Sequence, residues 1–346
     1  MRIFQVGFLL FFTAFTLSAQ ESTILFKRLN EPVEKAFSLL VPNNWILEGG
    51  AVRLLDPNIA GVNNMVECKF DFAVKKDADG SVMIRWLPEI LCIDQSQAWG
   101  NPEGAVFNNT LVRRKRTPEN FILEVAIPYA HPTATNIKII SGKPQPGLAS
   151  QYRNSMDPGL NSVTNMSYSA YLMEYSYLEK GKTYRERMVT AIEDYGVNGG
   201  GLWKNRGTMF VRAPEGQLTA WEPVLSTIQN SGDWSLAWIT GEINGQRQRS
   251  GQILATQQEL QAIDNAINEN RRNTYSEINK DMYLSITGQN EYKNPYTGAI
   301  EVDTDNWKNR WVSSNGDIIY SNVPDYNPNT DPKLNVSGFK LSQPGK

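Results

Sequence analysis

Histidine and cysteine, which many enzymes use for acid–base, nucleophilic and metal chemistry, are scarce in this chain, which has a single histidine, His131, and two cysteines. A serine triad would have to use His131, and a histidine-based zinc site would need carboxylates for nearly all its other ligands. The sequence has no Gly-x-Ser-x-Gly turn to supply the serine nucleophile of a hydrolase. His131 falls at a predicted helix-to-loop transition, and we interpret it as a surface or half-buried loop residue. The sequence therefore predicts no catalytic residue and no metal site.

The two cysteines, Cys68 and Cys92, fall on the apolar face of one predicted hairpin. Residues directly opposite each other in a hairpin point to the same side, so the alternation requires a loop with an odd number of residues. A loop centred on Gly80 places Cys68 opposite Cys92, whereas a loop centred on Asp79 places Cys68 opposite Ile90. Loop chemistry slightly favours the second register. The cysteines are thus either an intra-hairpin disulfide or two buried small hydrophobic residues.

Two further motifs begin like ligand sites but are incomplete. The Gly-Gly-Gly run at 199–201 lacks the following Gly-Lys-Ser/Thr of a phosphate loop, and we predict a flexible hairpin tip. The series Asp325, Asn327, Asn329 and Asp331 starts like a calcium loop, but it has no glycine at the sixth position and no bidentate glutamate at the twelfth. A turn-forming tail is the better interpretation, so no cofactor is predicted.

Aromatic residues near the C-terminus are the best candidates for binding. Trp307, Trp311 and Tyr320 are the aromatic residues least well explained by packing in a core. Exposed aromatic side chains are enriched at protein–protein contacts. A carboxylate pair able to do acid–base catalysis is the alternative kind of site, and its spatial pairing cannot be read from the sequence.

The N-terminus indicates export. Met1 and Arg2 are followed by an apolar run to Leu17 and by the small residues Ser18 and Ala19. This order is typical of a secretory signal peptide, and the run is shorter than the ~20 residues that a retained anchor helix needs. We predict a signal peptide at 1–19, a periplasmic or extracellular protein, and no membrane span after cleavage.

The formal net charge of −2 is spread along the chain. Binding to phosphate backbones or anionic membranes requires a basic patch, so nucleic acid is excluded as the main partner. The partner we expect is another envelope or extracellular protein. The oligomeric state is left open by the sequence, and dimerisation through the long polar helix described next is one possibility.

Hydrophobic periodicity places the main elements. Alternating apolar residues predict a hairpin over 66–93, further strands at 168–178, 184–195 and 207–212, and a helix stripe at 218–228. Between Thr117 and Ile127 the apolar spacing, with Pro118 in the first turn, predicts another helix. The polar segment Ser250–Ser285 lacks proline and predicts one long helix. Asn315-Gly316 is a strong hairpin signal within the aromatic segment that follows.

Residues 30–230 resemble the superfamily of the extrinsic photosystem II subunit PsbP. The matching segments are Phe37–Trp45, a strand followed by a turn, and the Ala213-Pro214-Glu215 turn that leads to a helix with Trp221, Leu225 and Ile228. The resemblance implies an antiparallel sheet covered by helices. Members of the superfamily share no catalytic residues and commonly act as assembly or binding subunits. The last third is similar to tails of uncharacterised exported bacterial proteins.

We therefore predict an α+β protein with a PsbP-like α/β/α sandwich, a long polar helix and a small aromatic β-meander. The predicted domains are the signal peptide at 1–19, the α+β domain at 20–232, the helix at 233–285 and the aromatic module with its tail at 286–346. The predicted function is that of an exported, non-catalytic binding or scaffold protein. The alternative is a cell-envelope hydrolase that uses an acidic residue pair.

Overall fold

The computed structural model describes residues 23–54, 57–95, 101–154, 166–249, 289–304 and 307–344. The predicted signal peptide and the predicted helix Ser250–Ser285 lie outside the described residues. Strand prevails over helix, at 42% against 24%, and most strands belong to two curled sheets.

The large sheet has the order β3-β4-β5-β12-β11-β10-β9, with the short strands β6, β7 and β8 beside β12. Its strands are β3 (Ile46–Val52), β4 (Lys69–Lys75), β5 (Met83–Trp86), β6 (Leu91–Ile93), β7 (Val106–Phe107), β8 (Thr110–Val112), β9 (Thr135–Pro144), β10 (Ser167–Glu179), β11 (Lys182–Asp194) and β12 (Leu202–Pro214). All pairings are antiparallel except β6 with β8.

The small sheet joins both ends of the described chain, in the order β13-β2-β1-β17-β16-β18. Its strands are β1 (Thr23–Asn30), β2 (Phe37–Pro42), β13 (Asp233–Trp234), β16 (Asn309–Val312), β17 (Ile318–Ser321) and β18 (Lys340–Leu341). Three more strands form a separate patch in the order β15-β14-β19, namely β14 (Gln289–Lys293), β15 (Ile300–Thr304) and β19 (Gln343–Pro344).

The helices are short and lie mainly over the large sheet. They are α1 (Pro57–Ala60), α2 (Pro118–Phe121), α3 (Ile127–Ala130), α4 (Pro146–Asn154), α5 (Leu218–Asn230) and α6 (Leu236–Arg249), with a π-helical turn at Ile122–Ala126 between α2 and α3. Single 3₁₀ turns occupy Val62–Met65, Val197–Gly199 and Pro328–Thr330.

Local sequence signals explain several of these elements. The Thr117 hydroxyl accepts a hydrogen bond from the Asn120 backbone N–H at 3.2 Å, and Pro118 occupies the first helical turn. Lys180 and Gly181 both have positive φ, which suits the two-residue turn that joins β10 to β11. The predicted helix near 117–127 and the predicted hairpin 168–195 are therefore confirmed.

The predicted α+β fold, an antiparallel sheet covered by helices, is wrong. The first hairpin and the long strands β10, β11 and β12 were predicted, but one face of the large sheet packs against a second sheet together with α5. That second sheet pairs β1 with β17, so that Phe26 lies opposite Ile318 across most of the chain length. Such long-range pairing leaves no local pattern in the sequence, which is why the aromatic hairpin was predicted as a separate module.

Two hydrophobic cores flank the large sheet. The first fills the space between the sheets and includes Phe26, Val74 and Leu225. The second lies beneath α2 and α3 on the opposite face and includes Ile122, Tyr175 and Trp203. Because both faces are covered, the charged alternate positions of β4 are not solvent-facing, and Lys69 is only 3% exposed.

Candidate functional site

A cavity of about 550 Å³ opens between the two sheets, where α6 crosses their edge. Its apolar wall includes six phenylalanine and tryptophan side chains, Phe37, Phe70, Phe72, Trp86, Trp234 and Trp238. Phe72 and Trp86 are directly opposite each other on β4 and β5, and their rings stack at 4.5 Å. The cavity therefore has the size and the apolar lining of a small-molecule site.

Two features of the sequence build the aromatic lining: side chains alternate along β4, and two tryptophans lie four residues apart. Phe70 and Phe72 point to the same side of β4 because side chains alternate along a strand. Trp234 pairs with Phe37 in the small sheet, and Trp238 follows one helical turn later, 5.4 Å from Phe70 between ring centroids. Strand and helix thus bring aromatic rings from three segments to one wall.

Polar contacts hold α6 over the cavity. The indole N–H of Trp238 donates to Glu34 at 2.7 Å, and Arg53 bridges Glu34 and Glu242, at 2.8 Å to each. Glu242 also accepts a hydrogen bond from the Cys68 backbone N–H at 2.8 Å. The helix is therefore tied to the turn before β2, to the end of β3 and to the start of β4.

A chain of alternating charges also lines the cavity and forms its charged wall. Glu67 Oε2 accepts from Lys69 at 3.1 Å and from Lys204 at 2.5 Å, and Lys204 also lies 3.5 Å from Glu89. Arg206 continues the chain, because it contacts Glu89 at 2.8 Å. A bulge in β12 after Arg206 sets this geometry, since it turns the backbone N–H of the next residue, 207, toward Glu89 at 3.0 Å.

The lysines hold the carboxyl groups ionised. Burial alone would raise the pKa of Glu67, but the ammonium groups of Lys204 and Lys69 outweigh it and lower the pKa to about 2. Burial likewise opposes ionisation of Glu89, and Arg206 with Lys204 lowers its pKa to about 2. Both carboxylates are therefore charged at every pH at which the protein is expected to work.

One polar atom at the cavity has no partner. Gln229, in the last turn of α5, lines the cavity and is 5% exposed. Its side-chain Nε2 is buried, and among the described residues no atom accepts a hydrogen bond from it. An unpaired buried amide is costly, at roughly 1–3 kcal/mol, so a ligand that supplied an acceptor would recover that free energy.

The structure places the predicted binding aromatics in packed surroundings. Trp307 is 6% exposed and Tyr320 is fully buried, with their rings 5.8 Å apart. The Tyr320 hydroxyl donates to Asp303, and Trp311 is half-buried on β16. None of these residues lines the cavity. That they bind a partner stays a prediction, and their burial gives it no support.

The hairpin register is the one centred on Asp79. Phe72 pairs with Trp86 and Lys75 with Met83, a register that, if extended, would place Cys68 opposite Ile90 rather than Cys92. The ladder ends at Trp86, and Cys92 instead pairs with Trp203 on β12. Both cysteines are free, Cys68 at the cavity and Cys92 in the second core.

Thiol titration checks this placement. Burial raises the pKa of Cys68 to about 11 and that of Cys92 to about 12, so both thiols are expected to react slowly with Ellman's reagent at pH 8. In the native protein Cys68 should react slowly, Cys92, which is 1% exposed, should react more slowly still, and two thiols per chain should appear on unfolding without a reductant. An unreduced, unfolded chain with no free thiol would contradict the structure.

His131 is buried, which corrects the expectation of a surface or half-buried loop residue. It is 4% exposed, and its Nε2 lies 2.9 Å from Glu186. Tyr175 and Tyr177 donate to the same carboxylate, and Arg212 donates to the Tyr177 hydroxyl at 3.0 Å. The cluster lies in the second core, away from the cavity, and its members form hydrogen bonds with one another.

Sequence reasoning missed most residues of the site. Trp234 and Trp238 carry a usable signal, because two tryptophans four residues apart at the start of a helix share one face. Lys69 and Lys204 carry no such signal, because charged residues at alternate strand positions are expected to face solvent. The oxygen-rich tail series is used locally: Asn327 caps the 3₁₀ turn, and Asp331 accepts from Tyr326 at 2.8 Å.

No family model matches this chain, and no curated protein matches it. In the part of the chain that the structure describes, no helix is both long and apolar enough to cross a membrane. The same part has no group of three or more His, Cys, Asp or Glu side chains arranged to hold a metal ion.

Proposed function

We propose that the protein is an exported, non-catalytic binding protein and that its ligand is a small molecule held in the aromatic cavity. The observation that carries the proposal is the cavity itself, about 550 Å³ between two sheets with aromatic rings on one wall. Pockets of roughly 300–1,000 Å³ with apolar walls and a few polar groups are typical of small-molecule sites. The unpaired Gln229 amide adds a donor at the site.

Export and partners remain part of the proposal. The basic start, the apolar run and the small residues before Gln20 support a secreted protein. A partner protein of the envelope is supported by the resemblance to a family of assembly subunits, and not by Trp307, Trp311 or Tyr320, whose rings are largely occupied by intramolecular contacts.

The cavity also contains the feature on which the alternative function depends. The carboxylate oxygens of Glu67 and Glu89 both contact Lys204 Nζ, at 2.5 and 3.5 Å, so these oxygens lie within about 6 Å of each other. That spacing is in the range of acidic pairs in glycoside hydrolases. However, such an enzyme needs one carboxyl with a raised pKa, and both of these have a pKa of about 2. Neither can donate a proton near neutral pH, which favours binding over hydrolysis.

Filling the cavity tests the proposal. Titration of the full chain with the neutral apolar dye N-phenyl-1-naphthylamine should give a saturable rise in fluorescence. Ile243 lines the cavity from α6, so Ile243→Trp should weaken dye binding at least tenfold, because the larger side chain takes up cavity volume. Gln248→Trp is the matched control, since Gln248 is exposed on the same helix and does not line the cavity.

Circular dichroism should show that both variants fold. Equal dye affinity in wild type, Ile243→Trp and Gln248→Trp, or no saturable binding to wild type, would overturn the proposed function.

A further inference from the structure

The charges of the charged wall sum to zero, but they are not equally exposed to the cavity. Lys69, Lys204 and Arg206 are balanced by Glu67, Glu89 and Glu193, which contacts Arg206 at 2.9 Å. Which of these charges reach the surface of the cavity decides which of them a ligand can contact directly.

Exposure separates the acids from the lysines. The side chains of Lys69 and Lys204 are only 2% and 4% exposed, whereas that of Glu67 is 42% exposed and that of Glu89 is 32% exposed. Arg206 is 34% exposed, but it is held between Glu89 and Glu193. The two lysines and Glu193, which is 2% exposed, are thus withdrawn from the surface, and the exposed charged side chains are Glu67, Glu89 and Arg206, one more acid than base.

Glu67 has one oxygen available. Both lysines contact its Oε2, and no described residue contacts its Oε1. The two ammonium groups keep this carboxylate ionised without covering it, so a ligand cation would meet a charge that has already been desolvated on one side.

The aromatic lining of the cavity also suits a cation. Aromatic faces attract cations through the ring quadrupole, and tryptophan does so most strongly. Trp86 and Trp238 line the cavity, and no lysine or arginine of the described chain stacks on either ring. A cation with an apolar substituent can therefore contact rings on one side and Glu67 on the other.

We propose that the cavity is selective for small organic cations that carry an apolar group, held between the tryptophan wall and Glu67. The inference rests on the proposed function, since it names the class of ligand that the cavity takes. Gln229, whose buried Nε2 has no hydrogen-bond partner among the described residues, also lines the cavity.

Three probes of one shape test the charge preference on the wild-type chain. Benzyltrimethylammonium is the cation, 2,2-dimethylpropylbenzene is its neutral carbon isostere, and phenylmethanesulfonate is the anion; each displaces the bound naphthylamine dye. We expect the cation to bind at least tenfold more tightly than the neutral probe, in line with a desolvated cation–π contact of about 2 kcal/mol. The anion should bind most weakly.

The variant Glu67→Gln tests whether Glu67 causes the preference for the cation. Glu67→Gln should reduce the cation's advantage over the neutral probe at least fivefold. Glu48→Gln is the control, because Glu48 is an exposed partner of Lys75 that does not line the cavity. Because Glu67→Gln removes the partner of two buried lysines, its fold is verified by circular dichroism. If this variant unfolds, the three probes on the wild-type chain still test the charge preference.

The outcomes separate the two proposals. Equal binding of cation and neutral probe, or tighter binding of the anion, overturns the charge preference while dye binding still supports the cavity as a ligand site. A wild-type chain that binds neither dye nor cation overturns both.

Discussion

Glu31→Ala is expected to lower the free energy of unfolding by about 4 kcal/mol, because it leaves four backbone N–H groups without an acceptor. Glu31 is fully buried, and its carboxylate accepts from Val33, Glu34 and Ala51 at 2.8 Å and from Ala36 at 3.2 Å. Three of these donors belong to the turn between β1 and β2, and the fourth belongs to β3. One side chain therefore ties the small sheet to the large sheet.

The neighbouring backbone is shaped around this carboxylate. A Cβ on Gly50 would lie 1.9 Å from Glu31 Oε1, and Gly50 has a φ of +139°, which only glycine adopts readily. The position of the carboxylate is thus constrained both by its four donors and by the close approach of Gly50.

Urea unfolding at pH 7 measures the effect. Glu48→Ala is the control, because the side chain of Glu48 is 52% exposed and pairs only with Lys75, so its loss should cost no more than about 1 kcal/mol. Losses of similar size in Glu31→Ala and Glu48→Ala would contradict the role of Glu31.

The same contact gives a pH dependence with a defined sign. Burial raises the pKa of Glu31, but its four backbone hydrogen bonds outweigh burial and lower it below the usual 4.5. A carboxyl with a depressed pKa in the folded state stabilises the protein above its unfolded-state pKa and loses that contribution as the pH falls through the folded value. The difference between wild type and Glu31→Ala should therefore be largest above pH 4.5 and should shrink in more acidic urea series.

Glu186→Leu is the second large effect, with an expected loss of about 4 kcal/mol. The substitution removes the acceptor of Tyr175, Tyr177 and His131 in the second core, where all of these side chains are at most 4% exposed. It also leaves the Arg212 guanidinium with Glu179, at 2.8 Å, as its remaining carboxylate partner. Removal of one member of a buried charge network is costly because the others stay unpaired in low dielectric.

Two measurements separate this structural role from a role in binding. Glu215→Leu is the control for urea unfolding, because its side chain is 48% exposed and its contact with Arg185 is 3.4 Å long. Dye affinity of the folded Glu186→Leu protein should equal that of wild type, since the cluster and the cavity lie on opposite faces of the large sheet. A changed affinity at unchanged stability would instead place the cluster in the binding site.

The local elements could be predicted from the sequence because their causes are local. Alternation over 168–195 and the Lys180-Gly181 turn set β10 and β11, and Thr117 with Pro118 sets the start of α2. The odd loop of the first hairpin follows from parity alone, and the structure selects the register centred on Asp79. The scarcity of histidine and cysteine also follows from composition alone.

Only the tertiary structure decided what covers the large sheet and where a ligand could bind. The pairing of Phe26 with Ile318 joins segments almost the whole chain apart, and no periodicity encodes such a partner. The cavity wall needs Trp86, Trp234 and Trp238 from three segments, and its charged side depends on a bulge that turns the backbone of residue 207 toward Glu89. Local propensities arise within a few residues of sequence, whereas a cavity arises from the space between elements, so its position follows only once the sheets have paired.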